Sequence, residues 1–294
     1  MTLKHPVITR FAPSPTGFLH LGHAYSALFS EKQARVKGGQ FILRIEDIDT
    51  SRTKPEFEDA IFEDLSWLGL KWELPVRRQS DHFKEYEKAI NNLRKLDLVY
   101  PCFCSRKEIR SAIFNSNLTT TDPLNRDKSQ IYPGTCKKIT EKQSKMRIKQ
   151  GSPFALRLNS DLAMQIAKKN TDALIWNDVE KGAIEVSLDL VGDVVLARKE
   201  TPASYHIAVT LDDHLQGINL VTRGQDLFLS THIHRVLQAV LKLNTPTYHH
   251  HHLLKGANGR KFSKRDNSLS IQSLRKEGKT PKQVRLLAGF HDDL

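Results

Sequence analysis

The sequence predicts an α/β protein built on a parallel sheet, and three observations carry that prediction. The chain opens with a strand, a loop, a helix and a second strand: HPVITRF, the Pro/Gly stretch FAPSPTGFLHLGH, a helical run, and FILRIED. A unit in this order, about 40 residues long, is the βαβ signature of a parallel sheet. Strand-like and helical stretches return near the end, where INLVTRG, THIHRVLQAVLKL and HHHHLL follow one another. Finally, 294 residues with 39% hydrophobic and 27% charged content make a globular chain of one large domain or two ordinary ones.

The elements follow in order. HPVITRF is a short strand entering the Pro/Gly loop. The next stretch places Leu21, Ala24, Leu28 and Ala34 at helical spacing, and Gly38-Gly39 stop it. FILRIED is the second strand. PEFEDAIFEDLSWLG, with Pro55 in its first turn and Gly69 after its end, is a helix, as is HFKEYEKAINNLRKL. In VYPCFCSRKEI, Ser105 and Glu108 form a capping box. Residues 115–152 are polar, basic and weakly periodic, the pattern of an inserted subdomain or a mobile loop. From Ile184, EVSLDLVGDVVLAR, SYHIAVTLDD and INLVTRG read as strands, and THIHRVLQAVLKL as a helix. HHHHLLKGANGRKFSKRD is a strand followed by a Gly/Asn loop, and PKQVRLLAGF is a short final helix.

The charge balance is basic: 45 Lys and Arg against 33 Asp and Glu, a net +12. Residues 255–285 hold ten basic side chains against two acids, and residues 137–150 six against one. Such stretches suit a polyanion such as nucleic acid, or serve as a solvated basic face. MTLKHPVITR has no apolar core of a signal peptide, and three cysteines without such a signal fit a reducing cytoplasm. No run of about 18 apolar residues occurs, so no membrane span is expected.

FAPSPTGFLHLGH has the parts of an anion site. Gly17 permits close backbone approach, and Pro13 and Pro15 stiffen the entry to the helix. The helix N-terminus near Leu19–Gly22 offers N–H groups and the positive end of the dipole. His20 and His23 lie one turn apart and carry N–H donors. A structural turn with two incidental histidines is the plainer alternative. Far downstream, GRKFSKRD puts Lys261, Lys264 and Arg265 on a glycine-flanked loop.

Together these motifs resemble those of class I aminoacyl-tRNA synthetases: FLHLGH is similar to the HIGH motif and KFSKR to the KMSKS motif. RFAPSPTGFLHLGHA resembles the glutamyl and glutaminyl subgroup, and the likeness runs from Arg10 to the chain's end. The resemblance implies a Rossmann-like parallel sheet with an inserted α/β subdomain carrying a small zinc site. It implies a catalytic nucleotide-binding domain in two parts, residues 1–98 and 191–294, around an insertion at 99–190. His20, His23 and Lys264 are then the catalytic residues. Gly22, Lys261 and Ser263 join them at ATP, which Mg²⁺ accompanies. Phe262 stands where the subgroup more often has Leu or Met.

A glutamate pocket must answer two carboxylates and one ammonium, which suits arginines and an acid. The resemblance assigns this role to Arg10, Phe11, Ala12, Pro13 and Ser14, with Glu46, Tyr205 and Arg223. The RIEDID segment, Arg44–Asp49, reaches toward the adenosine end in the same reading. YPCFC and IYPGTC supply three cysteines, one short of the usual tetrahedral zinc site. The resemblance completes the set as Cys102, Cys104, Tyr132 and Cys136, holding one structural zinc ion. The four histidines of YHHHHLL alternate in direction along a strand, so they are not expected to share a metal.

The subgroup's full-length members continue past the second motif into a helical anticodon-binding region, whereas this chain ends at Leu294, shortly after Arg265. VTRGQDLFLST also resembles the subgroup's short paralogues. These activate glutamate without tRNA and pass it to queuosine at the wobble position of tRNA(Asp). The expectation is therefore a cytoplasmic, monomeric ligase acting on ATP, L-glutamate and queuosine-containing tRNA(Asp). Two rivals stand beside it: a truncated glutamyl-tRNA synthetase charging the acceptor end, and an inactive RNA-binding paralogue.

Overall fold

The computed structural model describes residues 6–115, 131–189, 191–254 and 270–291. β1 (Ile8–Phe11) pairs in parallel with β2 (Gln40–Ile45) through the crossover helix α1 (Leu21–Arg35), with Ile8 opposite Gln40 and Phe11 opposite Leu43. Leu21, Ala24, Ala27, Leu28 and Ala34 bury the sheet-facing side of α1. Gly39 is needed where the chain turns back, because a Cβ there would lie 2.0 Å from the Val7 carbonyl oxygen. α2 (Pro55–Trp67) starts at Pro55, with Glu56 and Glu58 in its first turn, where the helix dipole favours them. β3 (Glu73–Arg78) then joins β2 in parallel, giving the order β1-β2-β3.

After α3 (Phe83–Lys95) the chain leaves this sheet. β4 (Val99–Cys102) leads to α4 (Arg106–Asn115), and Ser105 and Glu108 form the expected reciprocal cap. α5 (Glu141–Lys149) lies within the stretch that shows no periodicity in sequence, and it buries no residue. A helix with no buried face has no apolar stripe to reveal it. It is instead marked by a capping box between Thr140 and Gln143. Residues 116–130 of that stretch lie outside the described residues.

β5 (Ala155–Leu158) runs antiparallel to β4. α6 (Ser160–Lys169) precedes a hairpin of β6 (Ile175–Asp178) and β7 (Gly182–Glu185). β8 (Val195–Ala197) returns to pair with β5, closing a three-stranded antiparallel sheet. The expected strand EVSLDLVGDVVLAR is therefore strand only at its two ends, with Gly192 at φ +63° in the turn between them.

SYHIAVTLDD, expected as a strand, is the helix α7 (Tyr205–Leu215). Ile207, Ala208, Val209, Thr210, Asp212 and Asp213 are all buried, because α7 is packed between neighbours that include α3. A helix buried on most sides loses its period, and its β-branched residues then read as strand. β9 (Leu220–Gly224), α8 (Ser230–Leu241) and β10 (Thr247–His251) form a second parallel unit, and the sheet order there is β7-β6-β10-β9. β1 lies beside β9. At their junction Asn219 N–H donates to the Ile8 oxygen (3.2 Å), and the Asn219 side-chain oxygen accepts from Ile8 N–H (2.8 Å). The parallel strands thus run β3-β2-β1-β9-β10-β6, with β7 antiparallel at the edge.

α9 (Ile271–Lys276) and α10 (Pro281–Leu287) pack beneath α1 and α2, where Ile271, Leu274, Val284 and Phe290 share one core with Leu28, Leu43 and Leu65. Each such side chain contributes about 1.5–3 kcal/mol through burial. Arg275 fastens α9 to α2, donating to Asp64 Oδ1 (2.8 Å) with its guanidinium 5.4 Å from the Trp67 ring centre. Asp64 Oδ2 is buried without a hydrogen-bond partner. Burial outweighs Arg275 and pushes the Asp64 carboxyl up to about 6. A carboxyl raised in the folded state binds its proton more tightly there than in the unfolded chain. Stability should therefore fall as pH rises from about 4 to about 6, by about 3 kcal/mol. Urea midpoints across that window should show the fall in the native protein and a flatter profile in Asp64→Asn. Equal slopes would refute the assignment.

Candidate active site

Two half-sites meet at the C-terminal ends of the parallel strands. The first is the start of α1. His20 is its N-cap: His20 Nδ1 accepts from Gly22 N–H (3.1 Å), and His23 Nδ1 accepts from His20 N–H (3.2 Å). Two N–H groups expected to face an anion are therefore spent on the cap. The cap in turn fixes both imidazoles. With Nδ1 accepting, each neutral ring carries its proton on Nε2, and the rings stack with centres 3.8 Å apart.

The segment carrying Lys261, Ser263 and Lys264 lies outside the described residues, but both flanks are described. Before it, His252 Nδ1 lies 3.2 Å from the Tyr25 hydroxyl on α1, and Leu254 packs on the α1 core. After it, Ser270 forms a β-bridge with His20, and Ile271 N–H donates to the Leu19 oxygen (2.8 Å). Both described flanks of the second motif thus meet the helix whose start carries the first.

The second half-site is a cavity of about 790 Å³ whose walls include Ser14, Glu46, Asp49, Arg52, Tyr205 and His206. Ser14 comes from the loop after β1, Glu46 from the end of β2, and Tyr205 from the start of α7. Glu46 N–H donates to the Pro13 oxygen (3.0 Å), so the β1 loop and the β2 end are bonded together. Phe11 is buried in the core, and Ala12 links it to that loop. Burial raises the Glu46 carboxyl, against the pull of Arg44 and Arg10.

Arg10 and Arg223 lie behind this wall, nearly buried, and are largely committed. Arg10 Nε donates to Asp213 (2.9 Å) and its Nη1 to the Thr222 oxygen (2.9 Å). Arg223 donates to Tyr205 Oη (3.2 Å), Thr231 Oγ1 (2.6 Å) and His250 Nε2 (3.2 Å). The sequence reading missed the residues that hold these arginines. Arg44 is fully buried, donating to Asp213 (2.9 Å), Glu46 (3.2 Å) and Gln216 (2.9 Å). It therefore points inward rather than toward a nucleotide. Asp212 gathers Arg77 (2.8 Å), Gln79 (2.8 Å) and Tyr86 (2.9 Å). Burial works to raise Asp213, but Arg10 and Arg44 overcome it and hold the carboxyl below its ordinary range. Two adjacent acids inside an apolar stretch, TLDD, were the signal available in sequence.

The four expected zinc ligands converge. The sulfurs of Cys102, Cys104 and Cys136 lie within 4.8 Å of one another. Tyr132 Oη lies 3.4 Å from Cys102 Sγ and 3.6 Å from Cys104 Sγ. Phe103 N–H donates to Cys136 Sγ (3.3 Å). Burial pushes Cys104 up to about 12; at Cys102 burial is outweighed by Tyr132 and Arg157, and the thiol falls. This donor set, soft and convergent, fits a metal that takes sulfur ligands. The Arg157 guanidinium sits 3.8 Å from the Tyr132 ring centre, and both residues line the large cavity. The four histidines diverge: His249 meets Glu180, His250 Asp178, His251 Ser26 and His252 Tyr25.

Residues 6–289 match the family model for class I tRNA synthetases (E and Q), catalytic domain. A curated glutamyl-Q tRNA(Asp) synthetase of Rhodobacter capsulatus is 45% identical over 288 residues, covering 97% of this chain and 100% of that protein. A glutamate–tRNA ligase of Aquifex aeolicus is 35% identical over 95% of this chain and 55% of its own length. Among solved structures, a glutamate tRNA ligase from Elizabethkingia meningosepticum in complex with its amino acid superimposes with a TM-score of 0.68 at 29% identity. The match covers 90% of this chain and 53% of that one, so this chain spans about half the length of the two ligases it matches.

Arg44→Met should leave buried Glu46 without its ion-pair partner and Asp213 with Arg10 alone, and destabilise the fold by about 3–5 kcal/mol. Urea unfolding monitored by tryptophan fluorescence checks this; a loss below about 1 kcal/mol would show that the cluster is dispensable.

Proposed function

We propose a two-step reaction for this chain, which belongs to the class I tRNA synthetases (E and Q). It joins L-glutamate to ATP without tRNA, then transfers the glutamyl group to queuosine at the wobble position of tRNA(Asp). The observation that carries the reading is the bridge between His20 and Ser270, which brings the flank of the KFSKR segment to the HLGH cap. The likeness to a glutamyl-Q tRNA(Asp) synthetase over that protein's whole length supports queuosine, rather than the acceptor end, as the target.

The chemistry follows from the residues. A carboxylate oxygen of glutamate attacks the α-phosphorus of ATP, and the bond to the β-phosphate oxygen breaks, releasing pyrophosphate. The nucleophile is already ionised, so no base is required. The protein's part is positioning and stabilisation of the phosphate charge. His20 and His23, as Nε2–H tautomers, and the α1 terminus receive phosphate oxygens, with Gly22 setting the cap. Lys261, Ser263 and Lys264 complete that end, and Mg²⁺ comes with ATP. Glu46 receives the ammonium, with Ser14 and Tyr205 beside it and Arg10 and Arg223 supplying positive charge from behind. In the second step a hydroxyl of the queuosine cyclopentene ring attacks the activated carbonyl, AMP leaves, and the hydroxyl proton passes to solvent.

In this proposal residues 1–98 and 191–294 form the catalytic core and 99–190 the insertion. Within 99–190 β6 and β7 join the main sheet, whereas β8, at the start of 191–294, pairs with the insertion's β5. Cys102, Cys104, Tyr132 and Cys136 hold one zinc ion, which fixes the insertion beside the cavity and takes no part in activation. The enzyme acts as a monomer in the cytoplasm.

Pyrophosphate exchange should proceed with glutamate and no tRNA, and labelled glutamate should be retained on queuosine-containing tRNA(Asp) but not on tRNA lacking it. Charging of unmodified tRNA(Glu) instead would favour a truncated glutamyl-tRNA synthetase. Lys264→Ala should lower exchange by about 100-fold or more while the circular dichroism stays native. Metal analysis should find one zinc per chain, and Cys136→Ser should lose it and lower the melting temperature. An equally stable, metal-free native protein would refute the zinc assignment.

A further inference from the structure

Behind the cavity wall runs a chain of polar side chains of which the reaction above uses only Arg223. His206 lines the cavity. Its Nδ1 lies 3.2 Å from His234 Nε2, and His234 Nδ1 lies 3.1 Å from Arg223 Nη1. On the other side Arg223 Nε donates to His250 Nε2 (3.2 Å), and His250 Nδ1 lies 2.7 Å from Asp178 Oδ2. His234, Arg223, His250 and Asp178 are all buried.

The direction of every bond in this chain is determined by its two ends. Arginine only donates, so the ring nitrogens facing Arg223 must accept: Nδ1 of His234 and Nε2 of His250. A neutral imidazole that accepts at one nitrogen carries its proton on the other. His250 therefore donates from Nδ1 to Asp178. His234 donates from Nε2 to His206 Nδ1, so the His206 proton sits on Nε2. Burial first, and Arg223 second, hold His206 and His250 down to about 4 and His234 well below its ordinary range, which keeps all three neutral at pH 7. Nε2 of His206 has no protein partner among the described residues, and it is the donor that His206 has left to offer the cavity. Tyr205 repeats the logic next door: its hydroxyl accepts from Arg223, leaving its own O–H to donate.

We propose that this relay makes His206 a specificity-determining residue for the amino acid, presenting with Tyr205 a wall of hydrogen-bond donors that accepts a side-chain carboxylate and rejects an amide. The proposal rests on the glutamate-activating reading above. A carboxylate offers acceptors at both oxygens. A glutamine amide satisfies one donor and sets its NH₂ against the other, an unmade bond in a half-buried site. Glu46 lines the same cavity and supplies an accepting group, so donors and acceptor together fix which way round the amino acid lies.

The test measures pyrophosphate exchange with glutamate and with glutamine. His206→Phe should raise KM for glutamate about tenfold or more with little change in kcat, and lower the glutamate-to-glutamine ratio of kcat/KM about tenfold. His206→Gln, whose amide N–H reaches close to the lost position, should recover part of the ratio. A KM raised equally for both amino acids, or an unchanged ratio, overturns the proposal. An independent readout uses the native protein alone: long-range ¹H–¹⁵N spectra of ¹⁵N-histidine-labelled enzyme at pH 7, assigned with His206→Phe and His206→Gln. His206 in the Nε2–H form supports the relay; an imidazolium or the Nδ1–H form overturns it. Native protein that shows the Nε2–H form but no glutamate exchange would overturn the reaction rather than the relay.

Discussion

A buried cation orders the centre of this molecule. Arg44 has no exposed side-chain surface, and it is held on α7 by Asp213 and Gln216 and on its own strand by Glu46. An unpaired guanidinium in such a place would cost several kcal/mol, so the acids of α7 must lie against β2. Asp213 extends the same constraint to Arg10 on β1, and Asp212 extends it to Arg77 on β3 and Tyr86 on α3. Three strands and two helices are thus registered by adjacent carboxylates on one helix. Tyr205 begins that helix, so the cavity wall is set by the same contacts.

The arrangement explains where the polar residues gather. In a parallel sheet the strand ends face one edge, and the crevice outside their C-terminal ends is the place to receive a ligand. The loop after β1 brings Ser14 and the cap of α1. β2 brings Glu46, β9 brings Arg223, and β10 leads out past His251. The cation and acids lie below, in the layer where their charges orient the wall without being spent on water.

Much of this was legible in the sequence where local rules and tertiary packing agree. α1 shows its apolar spacing, and Pro55 and the Ser105–Glu108 pair mark helix starts that the structure keeps. The meeting of Tyr132 with the three cysteines was readable through resemblance alone, because tyrosine is not a residue that sulfur-rich metal chemistry would nominate. α7 was misread because burial on most sides hides a helix period. α5 was missed for the opposite reason, since it buries nothing. The histidine relay was invisible because its members stand at positions 178, 206, 223, 234 and 250, and only the meeting of β6, α7, β9, α8 and β10 brings them together. Its direction is a property of donors and acceptors, which spacing does not encode.

The β-bridge at Ser270 has a consequence for the molecule's cooperativity. Ser270 caps the start of α9 and His20 caps the start of α1, so two helix beginnings 250 residues apart in the chain share one short bridge. The Ile271 N–H bond to the Leu19 oxygen and the common core beneath tie them further. α9 and α10 are therefore not free to fray on their own, as a segment near a chain's end ordinarily is. Opening that segment and releasing the histidine cap become one event, so the stability of the last two helices sets how firmly the two imidazoles are held.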